Sequence, residues 1–190
     1  NTFDFGFSMF GLMFFPDRMA GFKELLRVLK PGGRAAVVLP DGTLFGEGVK
    51  TRLKEHLMEE CNLHTIVRLP NGVFAPYTGI KTNLLFFEKG SPTKKIWYYQ
   101  LNLERNLGKT NPLNENDLAE FVKLQPDKKN SDNSWTIKRA DVNTDTYDLS
   151  VKNPNKKEEA VLRQPQEILE EMKALDDETA NILNAIQEMI

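Results

Sequence analysis

Residues 61–90 read CNLHTIVRLPNGVFAPYTGIKTNLLFFEKG, and the rest of the chain is organised around them. Two short runs, 65–69 (TIVRL) and 82–87 (TNLLFF), are rich in the β-branched and aromatic side chains that suit a pleated, half-buried surface. Between them lies a polar segment punctuated by Pro70, Gly72, Pro76 and Gly79, residues that preset or free the backbone in turns. The spacing predicts two strands joined by a displayed loop, too long for a tight hairpin, carrying Asn71, Phe74 and Tyr77. Loops held up by a rigid scaffold are where binding residues concentrate.

Working upstream, residues 34–40 (RAAVVLP) are almost continuously apolar, the pattern of a strand buried on both faces of a parallel sheet. A helix precedes it: Pro16 and Asp17 suit a first turn, Phe22, Leu25, Leu26 and Leu29 share a face, and 30–33 (KPGG) is expected to stop it. Before the helix, 2–7 (TFDFGF) reads as another strand, which makes a βαβ unit whose crossover is expected to be right-handed. After a loop at 41–46, Val49, Leu53 and Leu57 recur every fourth residue in a charged background and predict a second amphipathic helix ending near Cys61. Strands alternating with helices imply an α/β sheet, and such sheets gather ligands at the carboxyl ends of their strands. The stretches to inspect are 8–11, 40–46 and 70–79.

Downstream, 96–101 (IWYYQL) predicts one more strand, followed by polar sequence to Pro154 with a short helix near 118–122 and a short strand near 135–137. Residues 128–134 are expected to form an exposed loop tip, while Trp135 and Tyr147 pin this segment to the domain. From Pro165, the residues Ile168, Met172, Leu175, Thr179, Ile182, Ile186 and Met189 alternate spacings of four and three. That is a helix with a coiled-coil-like seam, weakest at Thr179, made for a partner helix or for the chain's own domain. The expected organisation is an α/β domain over 1–103, an irregular extension over 104–160 and a closing helix over 161–190.

Composition narrows the class. The 190 residues carry 25 Lys+Arg and 27 Asp+Glu, net −2, so no argument for nucleic-acid binding follows from global charge. Cys61 is the single cysteine, which forbids an internal disulfide, points to a reducing compartment and fits a small buried side chain at a strand start. No apolar run approaches the roughly 20 residues that cross a bilayer, and no secretory leader is evident, so a cytoplasmic protein without membrane contact is expected. There is no metal-ligand cluster, phosphate loop or Gly-x-Ser-x-Gly elbow. His56 and His64 are expected in ordinary surface or packing roles.

The runs KPGGRAAVVLPDGTLF (30–45), CNLHTIVRLPNGVF (61–74) and TGIKTNLLFFEKG (78–90), then IWYYQLNLE, KTNPLNENDLAEF, SWTI and YDLSVKNPN in order, resemble the modification subunit of type I restriction-modification systems. Residues 3–33 are more similar to class I methyltransferases of small molecules. The resemblance implies the C-terminal half of a Rossmann-like methyltransferase sheet with an extended C-terminal helical tail. The parent protein would be a site-specific, adenine-specific DNA methyltransferase carrying methyl from S-adenosylmethionine to the exocyclic N6 amine, and this piece alone is expected to be inactive. Rival readings are a small-molecule methyltransferase and a non-catalytic assembly or DNA-clamp module.

Residue by residue, the resemblance places Ser8 and Phe10 where the family carries an Asn-Pro-Pro-aromatic motif that binds the amine and stacks on the base. It places Phe74 where an aromatic closes on the other face of the extruded adenine, with Asn71, Tyr77, Thr78 and Lys81 shaping the pocket or touching DNA, and Arg68 and Lys81 as phosphate partners. The family's cofactor ligands, a glycine-rich loop and an acidic ribose partner, are expected upstream of Asn1, with no metal. The implied partners are DNA, a specificity subunit, a restriction subunit and a second modification subunit. Ile168, Met172, Leu175, Ile182, Ile186 and Met189 would carry the subunit association.

Overall fold

The computed structural model describes residues 2–9, 11–155 and 165–188. It divides into two compact units, Asn1–Asn155 and Lys156–Ile190. In the first unit, β1 (Phe3–Met9) leads through a 3-10 turn to α1 (Arg18–Val28) and β2 (Leu29–Pro40). Then come α2 (Gly42–Phe45), α3 (Val49–Glu60), β3 (Cys61–Arg68), β4 (Thr82–Lys89) and β5 (Lys95–Gln100), followed by α4 (Ala119–Leu124) and β6 (Ser134–Lys138). The second unit is α5 (Pro165–Glu188).

Local chemistry explains most boundaries. α1 starts where Asp17 Oδ1 accepts the Ala20 N–H at 3.0 Å, satisfying one of the unpaired donors of a helix start. Its end departs from expectation. Residues 30–33 do not form a separate stop: β2 already pairs at Leu29 with Phe3, the Lys-Pro-Gly-Gly run bulges out, and pairing resumes at Arg34 with Phe5. Gly32 supplies the left-handed backbone (φ +75°) that the bulge requires. A helix-stop signal and a strand bulge draw on the same residues, and only the pairing partner distinguishes them.

The six strands lie in the order β1-β2-β4-β3-β5-β6. β1 and β2 are parallel, as are β3 and β5, while β4 runs antiparallel to both β2 and β3 and β6 antiparallel to β5. Val37, Val38 and Leu39 are buried in succession, as expected for a strand covered on both faces. On one face α1 and α3 pack: Phe22 lies 5.6 Å from Phe87 between ring centroids, and Leu26, Leu57 and Met58 join Val37, Leu39 and Leu85 in one core. On the other face Phe121 of α4 stacks over Trp97 at 6.0 Å and meets Tyr99 at a tilt of 55°, 5.4 Å between centroids. That cover stops short of the β1 edge, where Phe3, Phe5, Phe7 and Met9 alternate along the strand and are exposed. Phe5 and Phe7 line a groove of about 520 Å³ with Phe86, Arg34 and Lys128.

In residues 128–134, Lys129, Asn130 and Asp132 are exposed as the composition suggests, but the backbone of the segment is tied to β5. The Lys129 carbonyl accepts from Trp97 Nε1 at 3.1 Å and Ser134 Oγ at 2.8 Å, the Asn133 carbonyl accepts the Gln100 N–H at 2.8 Å, and Ser134 is buried. Carbonyls of this segment thus take up donors of β5, the Trp97 indole and the Gln100 N–H at the strand's end. Trp135 stacks on Tyr98 at 5.2 Å, and Tyr147 is held between Arg139 (3.0 Å to its hydroxyl) and Glu55 (3.4 Å), so both pin the segment as expected.

Candidate functional site

Strand directions bring three of the inspected stretches to one end of the sheet. Met9 pairs with Val38, Pro40 with Thr82, Arg68 with Asn83 and with Gln100, so the exits of β1, β2, β3 and β5 and the entry of β4 share that end. The loop over 70–81 rises there between β3 and β4. From the β1 exit to the β4 entry is two strand spacings, about 10 Å.

The loop is internally folded. Ala75 N–H donates to the Gly72 carbonyl at 3.1 Å, and Tyr77 and Thr78 N–H both donate to the Phe74 carbonyl, at 2.9 and 3.1 Å. Gly72 has φ +82°, and a Cβ there would overlap the Leu107 carbonyl oxygen, so glycine is required both by the backbone angle and by close packing on the following loop. Asn71, Tyr77 and Lys81 are exposed, whereas Phe74 and Thr78 are half buried. Phe74 packs against the cluster of Val67, Leu69, Trp97, Tyr99 and Leu101, while Tyr77 is 92% exposed. The Thr78 hydroxyl accepts the Ile80 N–H at 3.1 Å.

Arg68 is not a phosphate ligand in waiting. Its guanidinium donates inward, through Nη2 to Asp41 Oδ1 at 3.3 Å and through Nη1 to the Val151 carbonyl at 3.1 Å, with about a fifth of the side chain exposed. Sequence alone marks Arg68 as basic and near a loop; the carboxylate that recruits it lies 27 residues away. Asp41 itself carries no sequence signal beyond following a strand, and the buried Asn83 beside it carries none.

At the β1 exit, Ser8 Oγ accepts the Leu12 N–H at 3.3 Å and so caps the turn that follows. Phe10, Met189 and the side chain of Ile186 lie outside the described residues. A cavity of about 180 Å³ lies between α1 and the β2 exit, lined by Leu12, Arg18, Phe22, Thr43 and Lys50 among others, with no carboxylate in its lining. Beside it, Lys54 is buried and donates through Nζ to the Leu44 and Gly46 carbonyls at 2.7 and 3.0 Å, closing the end of α2. Burial lowers its pKa from the ordinary lysine value.

The remaining ionisable candidates read as packing groups. Cys61 is fully buried at the first residue of β3, and burial pushes its thiol up to about 12. His64 is half buried beside Thr65 Oγ1, at 2.9 Å from Nδ1, and burial holds its imidazole down to about 4. No cluster of three or more metal-ligating side chains occurs among the described residues. No described helix is long and apolar enough to cross a membrane. In α5, Ile168, Met172, Leu175 and Ile182 are all exposed, and Thr179 Oγ1 donates to the Leu175 carbonyl at 2.8 Å, which removes its polarity from the seam.

Comparison with known proteins gives the family. Residues 18–161 match the family model described as N-6 DNA Methylase. The chain is 42% identical over 180 residues to the type I restriction enzyme EcoEI methylase subunit of Escherichia coli, covering 87% of this chain and 36% of that protein. A chain from a structure of a type I R-M system, on its complex assembly and conformational transition, superposes with a TM-score of 0.74 at 32% identity, over all of this chain and 45% of its own. The type I restriction enzyme EcoKI M protein superposes with a TM-score of 0.62 at 28% identity, over 71% of this chain and 37% of its own. The chain thus spans about a third of the length of the first of these relatives.

Proposed function

The chain belongs to the N-6 DNA methylase family, and from that premise we propose that it is part of a type I modification subunit that methylates the N6 amine of adenine in DNA. The observation that carries this reading is the convergence of the β1 exit, the 40–46 loop and the folded 70–81 loop at one end of the sheet. A base extruded from a duplex loses its stacking, a few kcal/mol that aromatic faces in the pocket offset. The 70–81 loop supplies two aromatics for that task. Phe74, anchored on the Trp97–Tyr99 cluster, forms the fixed wall, and the exposed Tyr77 meets DNA first. Asn71, Thr78 and Lys81 flank them, and Ser8 stands at the β1 exit where the amine would be received.

The methyl donor in this proposal is S-adenosylmethionine. The cavity of about 180 Å³ beside the β2 exit has no carboxylate in its lining to pair with a ribose. In this proposal the donor's glycine-rich loop and acidic ribose partner lie in the longer protein, and this chain contributes the base-facing loops. The exposed seam of α5 serves docking to a helix of a specificity subunit, with a second modification subunit and a restriction subunit completing the assembly.

The test is methyl transfer by the longer protein, in complex with its partner subunits, from radiolabelled S-adenosylmethionine to duplex DNA, with N6-methyladenine identified by mass spectrometry. Label on adenine N6 that falls when Tyr77 is replaced by Ala supports the reading; label on a small molecule, or none, sinks it.

A further inference from the structure

We propose that Asp41 is a positioning residue that sets the 70–81 loop over the end of the sheet by joining its two stems. The inference rests on the reading of that loop as the base-facing part of the site. Asp41 is the first residue after β2, and its side chain is about a fifth exposed. One carboxylate oxygen, Oδ1, accepts from Arg68 Nη2 at 3.3 Å, two residues before Pro70 on the outgoing stem. The same oxygen accepts from Asn83 Nδ2 at 3.0 Å on the returning stem, where Asn83 is 1% exposed. The Asp41 N–H donates to the Lys81 carbonyl at 2.8 Å, a second tie to the returning stem.

The geometry is a clasp. β3 and β4 pair directly at Arg68 and Asn83, but that pairing fixes only their mutual register. β2 also pairs with β4 as far as Pro40 and Thr82, which sets the returning stem beside the 41–46 loop, and Asp41, the residue after β2, is the side chain that bonds to both stems. Hydrogen bonds to a charged acceptor are stronger than neutral ones, and partial burial limits competition by water. Arg68 extends the clasp through its bonds to the Ser150 and Val151 carbonyls, at 3.5 and 3.1 Å, so the segment leading out of the first unit braces the same point. A reacting group displaced by about 1 Å costs up to about a hundredfold in rate.

The test compares Asp41→Ala with Asp41→Asn, whose amide oxygen still accepts from both partners. In the full-length protein with its partner subunits, Asp41→Ala is expected to lower kcat for adenine methylation by about tenfold or more, with the Kd for S-adenosylmethionine unchanged, and Asp41→Asn to recover most of it. In the 190-residue chain, amide exchange at Ala75, Tyr77 and Thr78 is expected to quicken in Asp41→Ala while exchange in the centres of β3 and β4 stays slow. Unchanged exchange in the loop, or a parallel loss of cofactor affinity, thermal midpoint and kcat, overturns the proposal. If the wild-type protein transfers no methyl to adenine, the functional reading fails, and the exchange measurement alone decides for or against the clasp.

Discussion

The Tyr77 N–H donates to the Phe74 carbonyl at 2.9 Å, so the two aromatics of the 70–81 loop sit on one turn, yet one is half buried and the other 92% exposed. Their substitutions should separate. Tyr77→Ala removes no buried area and is expected to leave the thermal midpoint unchanged while weakening DNA binding and methylation. Phe74→Ala opens a gap against the cluster of Val67, Leu69, Trp97, Tyr99 and Leu101 and is expected to cost about 2 kcal/mol of stability, measured by urea unfolding. Equal effects of the two on stability would show that the loop's aromatics do not divide the work in this way.

Lys54 is 1% exposed and holds two carbonyls at the end of the four-residue helix α2. Lys54→Met keeps the aliphatic stem but takes the donor from the Gly46 carbonyl, while the Leu44 carbonyl keeps the Leu149 N–H at 3.0 Å, so the expected cost is about 1–3 kcal/mol. The midpoint of denaturant unfolding should fall accordingly. Lys50, whose Nζ donates to the Gly42 carbonyl at 3.0 Å on the half-exposed side, should be much less sensitive to the same change.

His64 makes the stability of the first unit depend on pH. Burial, reinforced by the positive charge of Lys128, holds its folded pKa at about 4, below the ordinary 6.5. Between those values the unfolded chain binds a proton that the folded chain refuses, so stability is present above pH 6.5 and declines as pH falls toward 4. Carboxylates titrate near the lower limit, so the informative quantity is the difference between wild type and His64→Gln. The wild type should lose more stability across that window, and coincident profiles would place His64 in a solvated setting.

The α5 seam predicts association without a role in folding of the first unit. A Leu175→Lys, Ile182→Lys double variant should no longer co-purify with a specificity subunit, while near-ultraviolet circular dichroism of the first unit stays as in the wild type. Retained co-purification would remove the seam from the interface.

Much of this was determined by the sequence acting locally. Asp17 caps α1 because a carboxylate one residue ahead of a helix meets the free N–H groups there. The run 34–40 forms a strand buried on both faces, and the runs 65–69 and 82–87 pair across their loop, because side-chain period and β-branching act within a few residues. The seam of α5 and the burial of Cys61 follow from the same local logic. Tertiary structure alone decided the rest. It put β4 between β2 and β3, turned Lys-Pro-Gly-Gly from a helix stop into a bulge of β2, drew 128–134 against β5 and pulled Arg68 inward to Asp41. Each of these depends on a partner far along the chain. Periodicity records which face of an element is apolar, but a hydrogen bond or a strand order needs to know which distant element arrives beside it, and no local pattern carries that information.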